Sequence, residues 1–387
     1  MHHFLFKTSQ IQTIMNKKIL LVPLAIIMLT NALFTVTALA QDKKDERTTT
    51  TRIADLLAQL PARNAAQLER NMKEVADLGE EGYVALISGL TASEKGNNAL
   101  IEYAVGGFTA YATKTGQQNL RSMAINAYCK ALHKLTDKQN KAFIISQFDL
   151  VGNDAAVACL TDYLADEQLA DEASRALAKI GTASATNALL SGLSKANGKA
   201  KIAIVEALGH TNAKAAATAI APLATGTDKA LAKVSLYALA NIGDASAKEI
   251  LVKAAEQAGY KYDQTNAVAA LLVYAQKNIA TDKTGVETIA KTILEKATAD
   301  DQVNERTAAL KLLSATQTDQ QALLAAMADK QFEFRAAAVK LAADGLNDTN
   351  SAAWVSQLKK VDAPTQVSIL DMLGNSKAKS ALPAVLK

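Results

Sequence analysis

Residues 233–255 read KVSLYALANIGDASAKEILVKAA. Leu236, Leu239 and Ile242 stand seven, four and one residues before Gly243, a spacing that puts them on one face of a helix. Glycine accepts the left-handed conformation that ends helices, so Gly243 reads as a stop. Leu251 and Ala255, eight and twelve residues on, begin a second apolar face. The unit is therefore helix, glycine turn, helix. The same phrase recurs at Gly152, Gly181, Gly209 and Gly374, preceded by Val151, Ile180, Leu208 and Leu373 and, four back, by Phe148, Leu177, Val205 and Leu370. The second face recurs as Leu160 and Leu164, Leu189 and Leu193, and Leu382 and Leu386. The Gly209 copy departs, with Ile220 and Leu223 at offsets of eleven and fourteen. The first four glycines are 29, 28 and 34 residues apart, a period in the range of helical repeat arrays. The predicted fold class is all-α: an α-solenoid of stacked antiparallel helix pairs.

Composition agrees. Of 387 residues, 49% are hydrophobic but only 5% aromatic, and five are proline, so helix breakers are scarce. A globular chain of this length would divide into domains, whereas a repeat array packs each unit only on its neighbours. The clearest repeats span 151–255. Residues 53–150 are less regular, with Gly106-Gly107 inside a helical segment, a pair that weakens or kinks a helix unless a neighbour packs closely there. Residues 256–387 are degenerate, with helix ends read at Ala275, Ser314 and Gly345.

The start of the chain bears on where it works. Residues 1–40 hold Lys7, Lys17 and Lys18 and no acid; an uncharged apolar run, 19–40, then closes on Ala38-Leu39-Ala40. This order predicts a cleaved signal peptide and an exported, periplasmic protein. The competing reading is a membrane anchor, which Thr30, Asn31, Thr35 and Thr37 weaken. Residues 41–52, QDKKDERTTTTR, read as a flexible linker. Losing the leader lowers the formal charge from +4 to +1, so no basic field for nucleic acid remains. No membrane association is expected after cleavage.

Chemistry-bearing residues are sparse. His133 sits near the carboxyl end of a helical segment, and His210 directly follows Gly209 in a turn. Neither has partners at metal-ligand spacing, so no metal site and no cofactor are expected. The acid pairs Glu80-Glu81 and Asp300-Asp301 stand at helix starts, where capping accounts for them. Cys129 and Cys159 are 30 residues apart and read either as a bridge, available in an oxidising compartment, or as two small buried hydrophobes. The long turn 256–266, EQAGYKYDQTN, carries Tyr260 and Tyr262, candidate ligand-binding residues because insertions in repeat arrays project on one face. The favoured reading is that both rings fill the gap between imperfect repeats. Trp354 reads as packed. No catalytic residue is expected.

The segments KVSLYALANIG (233–243), RAAAVKLAADG (335–345) and KIAIVEALG (201–209) resemble the second helix of short bacterial HEAT-like repeats. Lys233 and Arg335 stand ten before their glycines, where that family often carries arginine; Asp171 and Pro364 hold the place elsewhere, so the basic ladder is broken. The resemblance implies a solenoid that binds a protein partner or positions an adjacent domain. The leader, the QDKKDERTTT start and the early helices also resemble the amino-terminal region of secreted bacterial proteins that carry a 3-keto-disaccharide hydrolase domain. That resemblance implies a carbohydrate link only through a longer parent enzyme, since the catalytic β-sandwich has no counterpart here. At the carboxyl end, Leu382, Val385 and Leu386 form an apolar face with no following helix, and Pro383 interrupts it. The expectation is that the natural chain continues, or that another module covers this end.

Overall fold

The computed structural model describes residues 47–92, 96–317, 320–376, 380 and 383. The leader read at residues 1–40 and the apolar end of Leu382, Val385 and Leu386 lie outside the described residues. The chain divides into units of residues 1–51 and 52–387. The first described helix, Thr49–Ala58, begins inside the stretch read as a linker. The Thr51 amide donates to Thr48 Oγ1 at 3.2 Å, so the threonine run supplies its own helix start. The linker boundary at 52 is corrected accordingly.

Among the described residues there are twenty α-helices, three short 3-10 turns and no strand. Alternate helices form one unbroken row, each packed on the next. The row runs Ala65–Asp77, Ala99–Ala112, Lys138–Val151, Ala170–Ile180, Gly198–His210, Lys229–Ile242, Ala267–Lys277, Val303–Thr316, Phe332–Ala343 and Ala363–Asn375. The intervening helices form the second row, in which Gly79–Ile87, Gln118–Lys134, Asp154–Thr161 and Ala183–Lys195 pack in succession. This is an α-solenoid. Its apolar interior runs from Leu56 to Leu313, and a further cluster extends from Leu310 to Leu373 around the fully buried Trp354. The indole N–H donates to Gln320 Oε1, which satisfies the polar atom of a buried ring.

Three of the five glycines end their helices, and two, Gly209 and Gly374, lie within theirs. Gly181 and Gly243 are left-handed, at φ +66° and +68°, and each amide closes back on a leucine carbonyl, Leu177 and Leu239. Gly209 lies inside the helix Gly198–His210, and the residue that turns left-handed there is Asn212, at φ +54°. Asn212 is 31 residues from both Gly181 and Gly243, so the local period is uniform. Counted from Asn212, Ile220 and Ala224 fall at offsets of eight and twelve, and the departure of this copy disappears. Asparagine tolerates the left-handed region better than other non-glycine residues, which lets it stand in. Gly209 is kept small by packing: a Cβ there would come within 2.8 Å of Ala238 Cα on the next helix. His210 is accordingly the last residue of a helix and does not lie in a turn. Gly152 ends its helix in an extended conformation, and Gly374 lies within Ala363–Asn375.

In the less regular first third, Ala99–Ala112 runs unbroken through Gly106-Gly107. A Cβ at Gly107 would stand 3.0 Å from Met72 Sδ, the close neighbour that such a pair requires. The degenerate copies end at Lys277, Thr316 and Ala343, two residues from the ends read in the sequence.

Candidate functional site

The unbroken row turns helix residues left free by core packing toward solvent, and grooves form between successive helices. Each has small residues at its floor. Ala178, Ala203 and Ala207 line a groove of about 610 Å³ between Ala170–Ile180 and Gly198–His210. Glu206 is shared with the next, of about 260 Å³, where Val234, Tyr237, Ala238 and Ala270 give a mostly apolar wall. A third, of about 430 Å³, lies against Asn241, Val273, Lys277 and Lys311. The first two share Glu206, the second and third share the helices Lys229–Ile242 and Ala267–Lys277, and the three together follow one another across five helices of one row. A further groove lies between Phe332–Ala343 and Ala363–Asn375.

Within this face the polar groups are held in distinct ways. Arg175 bonds Asp149 and Asp171, each at 3.2 Å, and is neutralised there. Lys277 donates to Asn212 Oδ1 at 2.6 Å and to the Asn241 carbonyl, neutral acceptors that fix its ammonium without cancelling its charge. Tyr237 is 49% exposed in the middle of the apolar groove. His210 opens into the first groove and is exposed, with no carboxylate or second histidine in hydrogen-bond contact among the described residues. His133 is exposed in the last turn of Gln118–Lys134. Among the described residues no cluster of three potential ligands is placed to hold a metal.

The two candidate tyrosines do not form a site together. Tyr260 is 7% exposed, adopts φ +54°, and donates its amide to the Ala255 carbonyl at 3.0 Å. Burial raises its hydroxyl pKa above the ordinary range. Its ring plugs the turn, whose Gly259 carbonyl is tied to Gln302 Nε2 at 3.0 Å. Tyr262 is 74% exposed. Neither lines the grooves of the main row, and it is Tyr237, not singled out in the sequence, that stands there. The signal in the sequence was an aromatic at a position where the neighbouring copies carry Arg175 and Glu206, 31 residues apart in turn.

Cys129 and Cys159 are bridged, with α-carbons 5.8 Å apart, joining Gln118–Lys134 to Asp154–Thr161. Glu80 and Glu81 stand in the first turn of their helix and both engage Lys130, at 2.5 and 2.6 Å, which raises the lysine's pKa. Arg335, matched by sequence with the exposed Lys233, is instead 6% exposed. It donates to Thr365 Oγ1, to the Asp329 and Lys330 carbonyls and to Asp362, and so clamps the last helices. No helix in the described residues is long and apolar enough to cross a membrane.

No family model matches the chain, and no curated protein matches it. Among solved structures it is similar to an engineered protein, at 17% identity and a TM-score of 0.32, covering 86% of this chain and 91% of that one. It is also similar to the complex of CpcE and CpcF of phycocyanin lyase from a Nostoc species, at 16% identity and a TM-score of 0.30, covering 70% of this chain and 97% of that one.

Proposed function

We propose that this protein is an exported, non-catalytic helical-repeat scaffold that binds a protein partner or positions a neighbouring module. The observation that carries the reading is the run of successive grooves along one helix row, with Tyr237 exposed at its centre. Such a surface offers contact area along its length. The Cys129–Cys159 bridge supports export, because such bonds persist in oxidising compartments. The apolar run of residues 19–40 and its Ala38-Leu39-Ala40 ending support a cleaved leader.

The test is in-cell cross-linking in the envelope fraction of the native host, followed by mass spectrometry. The expected result is one recurrent protein adduct and a mature amino terminus at Gln41. Absence of any adduct above that of a leaderless control overturns the scaffold reading, and so does cleavage of a glycoside by purified residues 41–387.

A further inference from the structure

The three successive grooves carry lysines from four of their five helices: Lys179, Lys233, Lys277 and Lys311. Lys179, Lys233 and Lys311 are exposed and make no ion pair among the described residues, and Lys277 is held only by neutral oxygens. Of the acids on the same walls, Asp171 is taken up by Arg175, which leaves Glu206. The excess of positive charge is therefore local: the mature chain as a whole is close to neutral. Between the lysines the walls are apolar, through Val234, Tyr237, Ala270, Val273 and Leu312.

We propose that these grooves form one docking channel for an extended peptide segment of a partner, in which acidic and apolar side chains alternate along the face turned to the channel. The inference rests on the scaffold reading and names the chemistry of its ligand. Four interhelix steps of roughly 9 Å give a channel on the order of 35 Å long. At about 3.3 Å per residue that length takes a segment of roughly ten to twelve residues. The acidic groups meet the lysines, and the apolar side chains enter the alanine-floored grooves against Tyr237, an aromatic anchor of the kind that dominates interface energetics. A uniform polyanion fits less well, because Glu206 lies between Lys179 and Lys233 and the middle groove is mostly apolar.

The test uses the mature protein and fluorescence anisotropy with a labelled twelve-residue peptide of Glu-Glu-Leu-Leu repeats, which places both residue types on each face of an extended chain. A peptide with Lys replacing Glu, a poly-glutamate of equal length and heparin serve as comparators. The expected result is saturable binding of the Glu–Leu peptide, weakened about tenfold or more in the double variant Lys233→Glu/Lys311→Glu and about fivefold or more in Tyr237→Ala. All three positions are exposed, so circular dichroism should be unchanged. Equal binding of the Lys–Leu peptide, or tighter binding of poly-glutamate or heparin that Tyr237→Ala leaves intact, overturns the proposal. The same double variant is carried into the cross-linking experiment. A partner adduct retained by that variant overturns the channel and leaves the scaffold reading standing, whereas loss of the adduct only in the variant supports both. No adduct with the unaltered protein overturns the scaffold reading, and the peptide titration then judges the channel alone.

Discussion

Replacing each of four positions by alanine separates the physics hidden behind one repeated glycine phrase. In an ordinary helix interior, glycine to alanine gains about 1 kcal/mol. Gly374 comes near that condition: it lies in the last turn of Ala363–Asn375, and its added Cβ meets nothing within 4 Å among the described residues. Gly374→Ala should stabilise by about 0.5–1 kcal/mol. At Gly209 the added Cβ would come 2.8 Å from Ala238 Cα and 2.9 Å from Ala238 Cβ. The Cα is helix backbone and the Cβ is fixed to it, so neither can swing aside, and overpacking costs about 1–3 kcal/mol and outweighs the propensity gain. Gly209→Ala should therefore destabilise by about 1–2 kcal/mol. Gly181→Ala and Asn212→Ala should each cost about 1–2 kcal/mol for a different reason, the left-handed φ of +66° and +54°. Thermal unfolding by calorimetry reads the signs, at roughly 2–4 °C per kcal/mol. Amide exchange locates the loss, which for Gly209→Ala belongs in Gly198–His210 and Lys229–Ile242. A higher midpoint for Gly209→Ala, or an Asn212→Ala variant as stable as the parent, would refute the 31-residue register.

Leu239 is fully buried, so Leu239→Asp should destabilise its own and adjoining repeats by roughly 3 kcal/mol or more, seen as lost helicity on mild heating. Removing the Cys129–Cys159 bridge with paired serines should lower stability by about 2–4 kcal/mol in urea titrations, given the 30-residue separation of its ends. Arg335→Ala strands two backbone carbonyls and Thr365 and should cost about 2–3 kcal/mol, followed through the single tryptophan, Trp354, of the same cluster. Hydrogen bonds from the Ser246 side chain and amide hold the Asp244 carboxyl below its ordinary 3.8, and the bond from Lys248 does the same for Asp282. Depressed carboxyl pKa values contribute stability that is present above 3.8 and lost as pH falls through the folded-state values. The thermal midpoint should thus be flat near neutrality and decline below about pH 4.

How much of this was legible follows from what each residue does. The solenoid was, because Leu236, Leu239 and Leu251 report a core position by chemistry alone and recur. Buried Trp354 and the exposed His133 followed from their surroundings in the same way. The register at Gly209 was not, because a slip of three residues is close to one helical turn and leaves the apolar face almost unchanged. Val205 and Leu208 fit either alignment, and only the backbone distinguishes a glycine that turns from one that lets two helices touch. The same slip hid the candidate surface. With Gly209 as the stop, Tyr237 aligns with Ala203; with Asn212 as the stop, it aligns with Glu206 and Arg175 on the open side of the row. Arg335 and Lys233 make the complementary point. They share a sequence position, yet one is enclosed by the carbonyls of Asp329 and Lys330 and the other faces an open groove. A cation becomes a binding group only where its own fold leaves its charge uncancelled and facing an open groove, and that depends on the neighbouring turn, which a repeat consensus does not record.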